Sequence, residues 1–206
     1  MFLKIIVILV ISISLSQGNS SNKKAFNSNE IVPDVISAPP SNILTVRYLQ
    51  SKKNVNLGNE IAPIDVRQAP KITYEAEPNT FYTLVFTDPD VPSRANPIRR
   101  EFRHWLVVNI PGSDVNKGQV LSEYIGSGPP EGTGLHRYIF LLYKQPSRLE
   151  FEEPFVPNTE FGDRPNFSAQ KFGEKYNLEL VAGNFYQAQY DDSVPELHKQ
   201  FKKPTN

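Results

Sequence analysis

Three short segments hold the residues best suited to chemistry. Asp88-Pro89-Asp90-Val91-Pro92 sets two carboxylates among two prolines. Proline fixes its own backbone angle, so both carboxylates are held in place, although a plain turn uses the same residue types. Arg103-His104 leads into an apolar run, a position where a histidine is commonly satisfied by a backbone group. The segment from Gly126 to Arg137 carries glycines at 126, 128, 132 and 134 and has His136 at its exit. Glycine permits close backbone approach and positive φ, and successive N–H groups can form a concave nest for an anion. The loop lacks the Lys-Ser/Thr of a nucleotide P-loop, and its plain reading is a long connection.

Each segment marks the end of a strand-like run. Loops at one end of an antiparallel sandwich meet in space, so one carboxylate, two imidazoles and a glycine nest would form a small cup for phosphate or carboxylate. Imidazole and backbone N–H groups would face the anion. Asp88 would orient a histidine or receive the amine of a zwitterionic head group.

The elements that must position this cup read mainly as β. Leu44–Tyr48 and Lys71–Tyr74 alternate apolar and polar residues, as half-exposed strands do. Phe81–Phe86, Trp105–Ile110 and Tyr138–Tyr143 are nearly continuous apolar runs, as expected of central strands covered on both faces. Asn166 or Ser168 can cap a short helix through Phe172 to Tyr176. Asp192 or Ser193 can cap a last helix in which Val194, Leu197 and Phe201 share one face, with His198 beside them. The expected fold is a β-sandwich-like domain of two antiparallel sheets with a C-terminal helix, over residues 39–206. Residues 19–38 read as a flexible, extended lead-in.

Met1–Lys4, an uncharged run from Ile5 to Leu15 and the small residues Ser16 and Gly18 have the layout of a secretory leader, cut after residue 18. The apolar run is too short to span a membrane, and no other run is long enough. The chain has 22 basic and 22 acidic residues. Losing Lys4 with the leader brings the formal charge near −1, which argues against a nucleic-acid partner. There is no cysteine, so stability must come from the core, and thiolate chemistry is excluded. Asn166-Phe167-Ser168 is a candidate glycosylation sequon, and Asn19-Ser20-Ser21 is a second.

The segments Thr87–Arg94, Arg100–Asn109 and Gly126–Tyr138 together resemble, in order and spacing, the signature blocks of the phosphatidylethanolamine-binding protein family. The resemblance runs from about Ile31 to Phe201. It implies two antiparallel sheets and an edge pocket for phosphate-like anions and phosphorylated head groups. Residue by residue, it implies that Asp88, His104, Gly128, Pro129, His136 and Tyr138 line the pocket, with Asp90, Pro92 and Phe102 at its rim. Many members carry two histidines where this chain has Arg103-His104, and Trp where it has Phe102. Arg103 would add positive charge to the mouth if it faces there. His198 falls where many animal members have a pocket tyrosine, and a third imidazole would make anion binding more pH-sensitive.

The reading this favours is a secreted, non-catalytic binder of a phosphorylated small molecule or phospholipid head group, without cofactor or metal. Anion binding is expected to tighten as pH falls through the histidine range, about 6.5. The alternative is an inhibitor that meets a protease or signalling protein through its surface. An enzyme would need Asp88, His104 and His136 as a metal triad, or Ser127 as a nucleophile outside the strand–turn–helix setting it requires.

Overall fold

The structure, a computed structural model, describes residues 21–201. The leader and the Asn19 sequon lie outside the described residues. Among the described residues nine strands form two sheets: β1 (Asn42–Ile43), β2 (Thr45–Tyr48), β3 (Lys53–Asn54), β4 (Lys71–Thr73), β5 (Phe81–Asp88), β6 (Phe102–Pro111), β7 (Gln119–Ser122), β8 (His136–Lys144) and β9 (Glu179–Ala188). One sheet runs β1-β9-β8-β5-β6-β7, the other β3-β2-β4. All pairings are antiparallel except β1 with β9. The mainly β, two-sheet expectation is met.

The continuous apolar runs fall on β5, β6 and β8 near the centre of the large sheet, where both faces are covered. One face packs Leu84, Phe86, Phe140 and Tyr186 against Val46, Tyr48 and Ile72 of the small sheet. The other packs Val85, Leu106, Ile139 and Leu141 against Phe26, Ile31, Val35 and Phe172. The alternating runs are β2, whose Val46 and Tyr48 point inward while Thr45 and Arg47 face solvent, and β4, whose Ile72 points inward between exposed Lys71 and Thr73.

That second core corrects the reading of the lead-in over residues 21–38, the part of it that is described. Residues 21–28 are helical (α1), and a one-turn irregular helix, α2, follows at Ile31–Asp34. Phe26 and Ile31 are fully buried. The polar composition hid this, because only a few apolar residues seat the segment on a sheet face that needs cover.

Ser168 caps α3 (Ala169–Lys175), its hydroxyl accepting from Lys171 N–H. The last helix, α4 (Val194–His198), begins at Ser193 and buries Val194 and Leu197. It lies against the glycine loop: a Cβ on Gly128 would come within 2.7 Å of Leu197 and 3.2 Å of His198 Nε2. Only glycine allows this approach.

Candidate functional site

Asp88 ends β5, Phe102 begins β6 and His136 begins β8. The registers Asp88↔Phe102 and Thr87↔Ile139 bring all three to one end of the large sheet. Phe86 pairs with Trp105 and Thr87 with Arg103, so His104 is the extra residue of a β-bulge. A bulge re-aims side chains, and here it sets the His104 ring among Phe86, Phe102 and Tyr138, at centroid distances of 5.2, 4.9 and 5.3 Å. The fully buried Arg164 fixes the bulge from behind. Its guanidinium donates to the carbonyls of Arg103 and His104 on one side and to those of Glu123, Val156 and Pro157 on the other.

These ends surround a cavity of about 670 Å³. Its wall includes Asp88, Pro92, Phe102, His104, Gly128, Pro129, His136, Tyr138 and His198. His198 is therefore part of the cup; its Nε2–H donates to the Gly128 carbonyl at 3.0 Å. The wall also holds residues the sequence reading did not assign to it: Val91, Arg99, Ile125 and Phe161 from loops, and Leu197 and Phe201 near the C-terminus. The apolar face of α4 was the only advance signal for the last two.

Asp90 is not at the rim. It is completely buried, and both its carboxylate oxygens bind Arg137, at 2.6 Å from Nη2 and 2.9 Å from Nε. Arg137 also donates to the Asn29 carbonyl and to Asp34, tying the lead-in to the base of the site. A carboxylate next to a buried arginine in the adjacent strand pairs with it, because either charge alone would be costly to bury. Arg103 does not face the mouth either. It points to the opposite face of β6, over the Phe167 ring at 5.2 Å. Asn166 is exposed, with a left-handed backbone (φ 60°) just ahead of α3.

The protonation pattern is set by geometry. His104 Nδ1 lies 2.9 Å from the Ile125 carbonyl. A carbonyl only accepts, so Nδ1 carries the proton. Burial, opposed in part by the Asp88 charge, pushes the ring down to about 4. At neutral pH His104 is uncharged, and its Nε2 is a lone pair. This corrects its expected role as an anion donor titrating near 6.5.

His136 behaves oppositely. Burial disfavours its charge, but the hydrogen bond and charge of Asp88 outweigh that and lift it above the usual histidine range. Its Nδ1–H donates to Asp88 Oδ2 at 2.9 Å. The Thr133 hydroxyl donates to the Pro130 carbonyl at 2.7 Å, leaving its oxygen to accept from His136 Nε2–H at 3.0 Å. Asp88 Oδ1 accepts the Asp90 N–H at 2.7 Å. Both oxygens of Asp88 are thus engaged inside the protein, and one of them orients His136. Burial first and the Asp88 charge second keep the Tyr138 phenol protonated.

Among the described residues, no group of three His, Cys, Asp or Glu side chains converges as metal ligands. Ser127 is fully buried and its hydroxyl has no hydrogen-bond partner among the described residues. Among the described residues no helix is long and apolar enough to cross a membrane.

Comparison with known proteins bears on the same residues. A family model described as Phosphatidylethanolamine-binding protein matches residues 50–187. The chain is 37% identical over 191 residues to "Putative odorant-binding protein A5" of Drosophila melanogaster, covering 92% of this chain and 90% of the relative. Its structure is similar to a carboxypeptidase Y inhibitor solved with its cognate proteinase: TM-score 0.73, 31% identity, 84% of this chain and 97% of that one. A phosphatidylethanolamine-binding protein from Plasmodium vivax matches in fold with TM-score 0.64 at 24% identity, covering 82% of this chain and 98% of that one.

Proposed function

The chain belongs to the phosphatidylethanolamine-binding protein family, and from that premise we propose that it is a secreted, non-catalytic binding protein whose cavity holds the phosphate-like head of a ligand. The observation that carries this reading is one cavity that collects His104, His136, Tyr138, His198 and the Gly128-Pro129 stretch of the loop. Its volume lies in the range of small-molecule sites, about 300–1,000 Å³. Its polar groups are few and fixed, which suits recognition. Both His136 nitrogens are bound, so it is poorly placed as a general base. The leader-like residues 1–18 support secretion, and the odorant-binding name of the Drosophila relative agrees with an extracellular carrier. Titration with dodecyl phosphate, followed by NMR, is expected to shift the ring signals of His104 and His136. Rings that stay put at millimolar ligand would end this reading.

The likeness to the carboxypeptidase Y inhibitor favours a second reading, inhibition of a protease through the surface. The purified protein is then expected to inhibit a carboxypeptidase in a panel, and to do so equally well with the cavity filled by Leu197→Trp. Inhibition that vanishes in that variant would assign the effect to the pocket instead.

A further inference from the structure

Within the cup, the charges cancel. The His136 imidazolium faces Asp88, and His104 offers a lone pair. Asp88, the one carboxylate on the wall, already has its charge paired with His136, which leaves a ligand ammonium little to gain there. The charge that remains on the wall comes from a run of arginines. Arg100 is paired with Asp34 at 3.1 Å and Asp90 at 3.7 Å. Arg103 is buried on the far face of β6 over Phe167. Arg99 alone of the three lines the cavity, and among the described residues its guanidinium makes no ion pair or hydrogen bond. Its backbone is held on both sides: the N–H donates to the Val91 carbonyl and the C=O accepts from Asn166 N–H. The remaining wall is largely hydrocarbon, with Ile125, Phe161, Leu197 and Phe201.

We propose that Arg99 is the specificity-determining residue of the cavity, selecting an amphiphile with an uncompensated phosphate monoester head over a zwitterionic phosphodiester of the same chain length. This rests on the reading that the cavity binds a phosphate-bearing ligand, and it names which one. A guanidinium matches phosphate geometry through two parallel hydrogen bonds. A monoester, whose second proton leaves near pH 6, carries up to two charges for Arg99. In its singly charged form it instead keeps one hydroxyl that can donate to the His104 Nε2 lone pair, which a diester cannot. A choline or ethanolamine group would bring a cation into a cup whose carboxylate is already engaged. Free phosphate would leave the apolar wall facing water, so the hydrocarbon chain adds affinity in proportion to the surface it covers.

Isothermal titration of the full chain with dodecyl phosphate, dodecylphosphocholine and inorganic phosphate tests the assignment. Wild type is expected to bind dodecyl phosphate about tenfold more tightly than dodecylphosphocholine, the value of one charged hydrogen-bonding contact. Inorganic phosphate is expected to bind more weakly than either. Arg99→Gln, at an exposed position, is expected to erase the tenfold preference and to leave dodecylphosphocholine within about twofold of wild type. Equal affinities for the two amphiphiles in wild type, or an undiminished preference in Arg99→Gln, would overturn the role of Arg99. Leu197→Trp separates this from the reading beneath it. Amphiphiles that bind wild type without discrimination but are lost in Leu197→Trp leave the cavity reading standing and remove Arg99. Amphiphiles that bind nowhere, or bind Leu197→Trp as well as wild type, remove both.

Discussion

Asp88 accepts on both carboxylate oxygens, from Asp90 N–H and from His136 Nδ1–H. That arrangement does two things for one side chain. It locks the loop after β5 to its own turn, and it keeps a buried imidazole charged. The second effect is testable at the residue itself. Asn at position 88 can still accept from His136 but carries no charge, so burial, which opposes the imidazolium, is left with little against it. In Asp88→Asn the His136 ring is expected to titrate below its ordinary value of about 6.5 rather than above it. NMR titration of the three histidines reads this directly. His104, pushed down to about 4 mainly by burial, is expected to stay well below neutrality and serves as an internal control. A His136 titration unmoved by the substitution would mean that Asp88 is not the source of its charge.

At the scale of elements, the strands that build the site were legible because their pattern follows from burial. Phe81–Phe86 and Tyr138–Tyr143 read as central strands, and they are β5 and β8. The pocket positions Asp88, His104, His136 and Tyr138 follow from strand ends and from the family's spacing, and the cavity gathers all four. What stayed hidden depends on contacts between distant segments. The ten-residue β9 has no continuous apolar run, because Gly183 must stay small: a Cβ there would meet Pro40 at 2.9 Å and the Phe140 carbonyl at 3.1 Å. The bulge that turns His104 inward leaves no mark on the sequence. Arg164 is a lone arginine in a loop until its side chain is seen to bind carbonyls of three separate stretches. The family's spacing puts Asp90 at the rim, yet its carboxylate belongs to Arg137 across the sheet. The same limit applies to Arg99 and Phe161, which reach one wall from loops about 60 residues apart.

The whole molecule has no disulfide and rests on two cores, one on each face of the large sheet. Glu101, at the threshold of β6, is nearly fully buried and ties this sheet to α3: its Oε1 accepts from Ala169 N–H at 2.9 Å, while Oε2 has no partner among the described residues. Burial, only partly offset by that bond, lifts its carboxyl to about 8. The folded value is thus raised above the unfolded one, about 4.3. A group shifted in this direction stabilises the fold fully below the unfolded value, and that contribution is lost as pH rises toward the folded value. His104 has the opposite sign. It is held neutral in the fold, so stability is lost as pH falls from about 6.5 toward 4. The two effects oppose one another below pH 6.5, which makes the wild-type curve alone a poor test. The difference between wild type and Glu101→Gln isolates one of them. Glutamine keeps an oxygen for Ala169 N–H and cannot ionise. It is expected to gain on wild type steadily from pH 5 to 8, by at most about 1.4 kcal/mol per pH unit, and to level off beyond. Urea unfolding midpoints of both proteins at pH 5, 6.5, 8 and 9 measure this difference. A gap that stays constant across those values would show that Glu101 ionises as freely in the fold as in the unfolded chain, and that its buried position costs the molecule nothing at neutral pH.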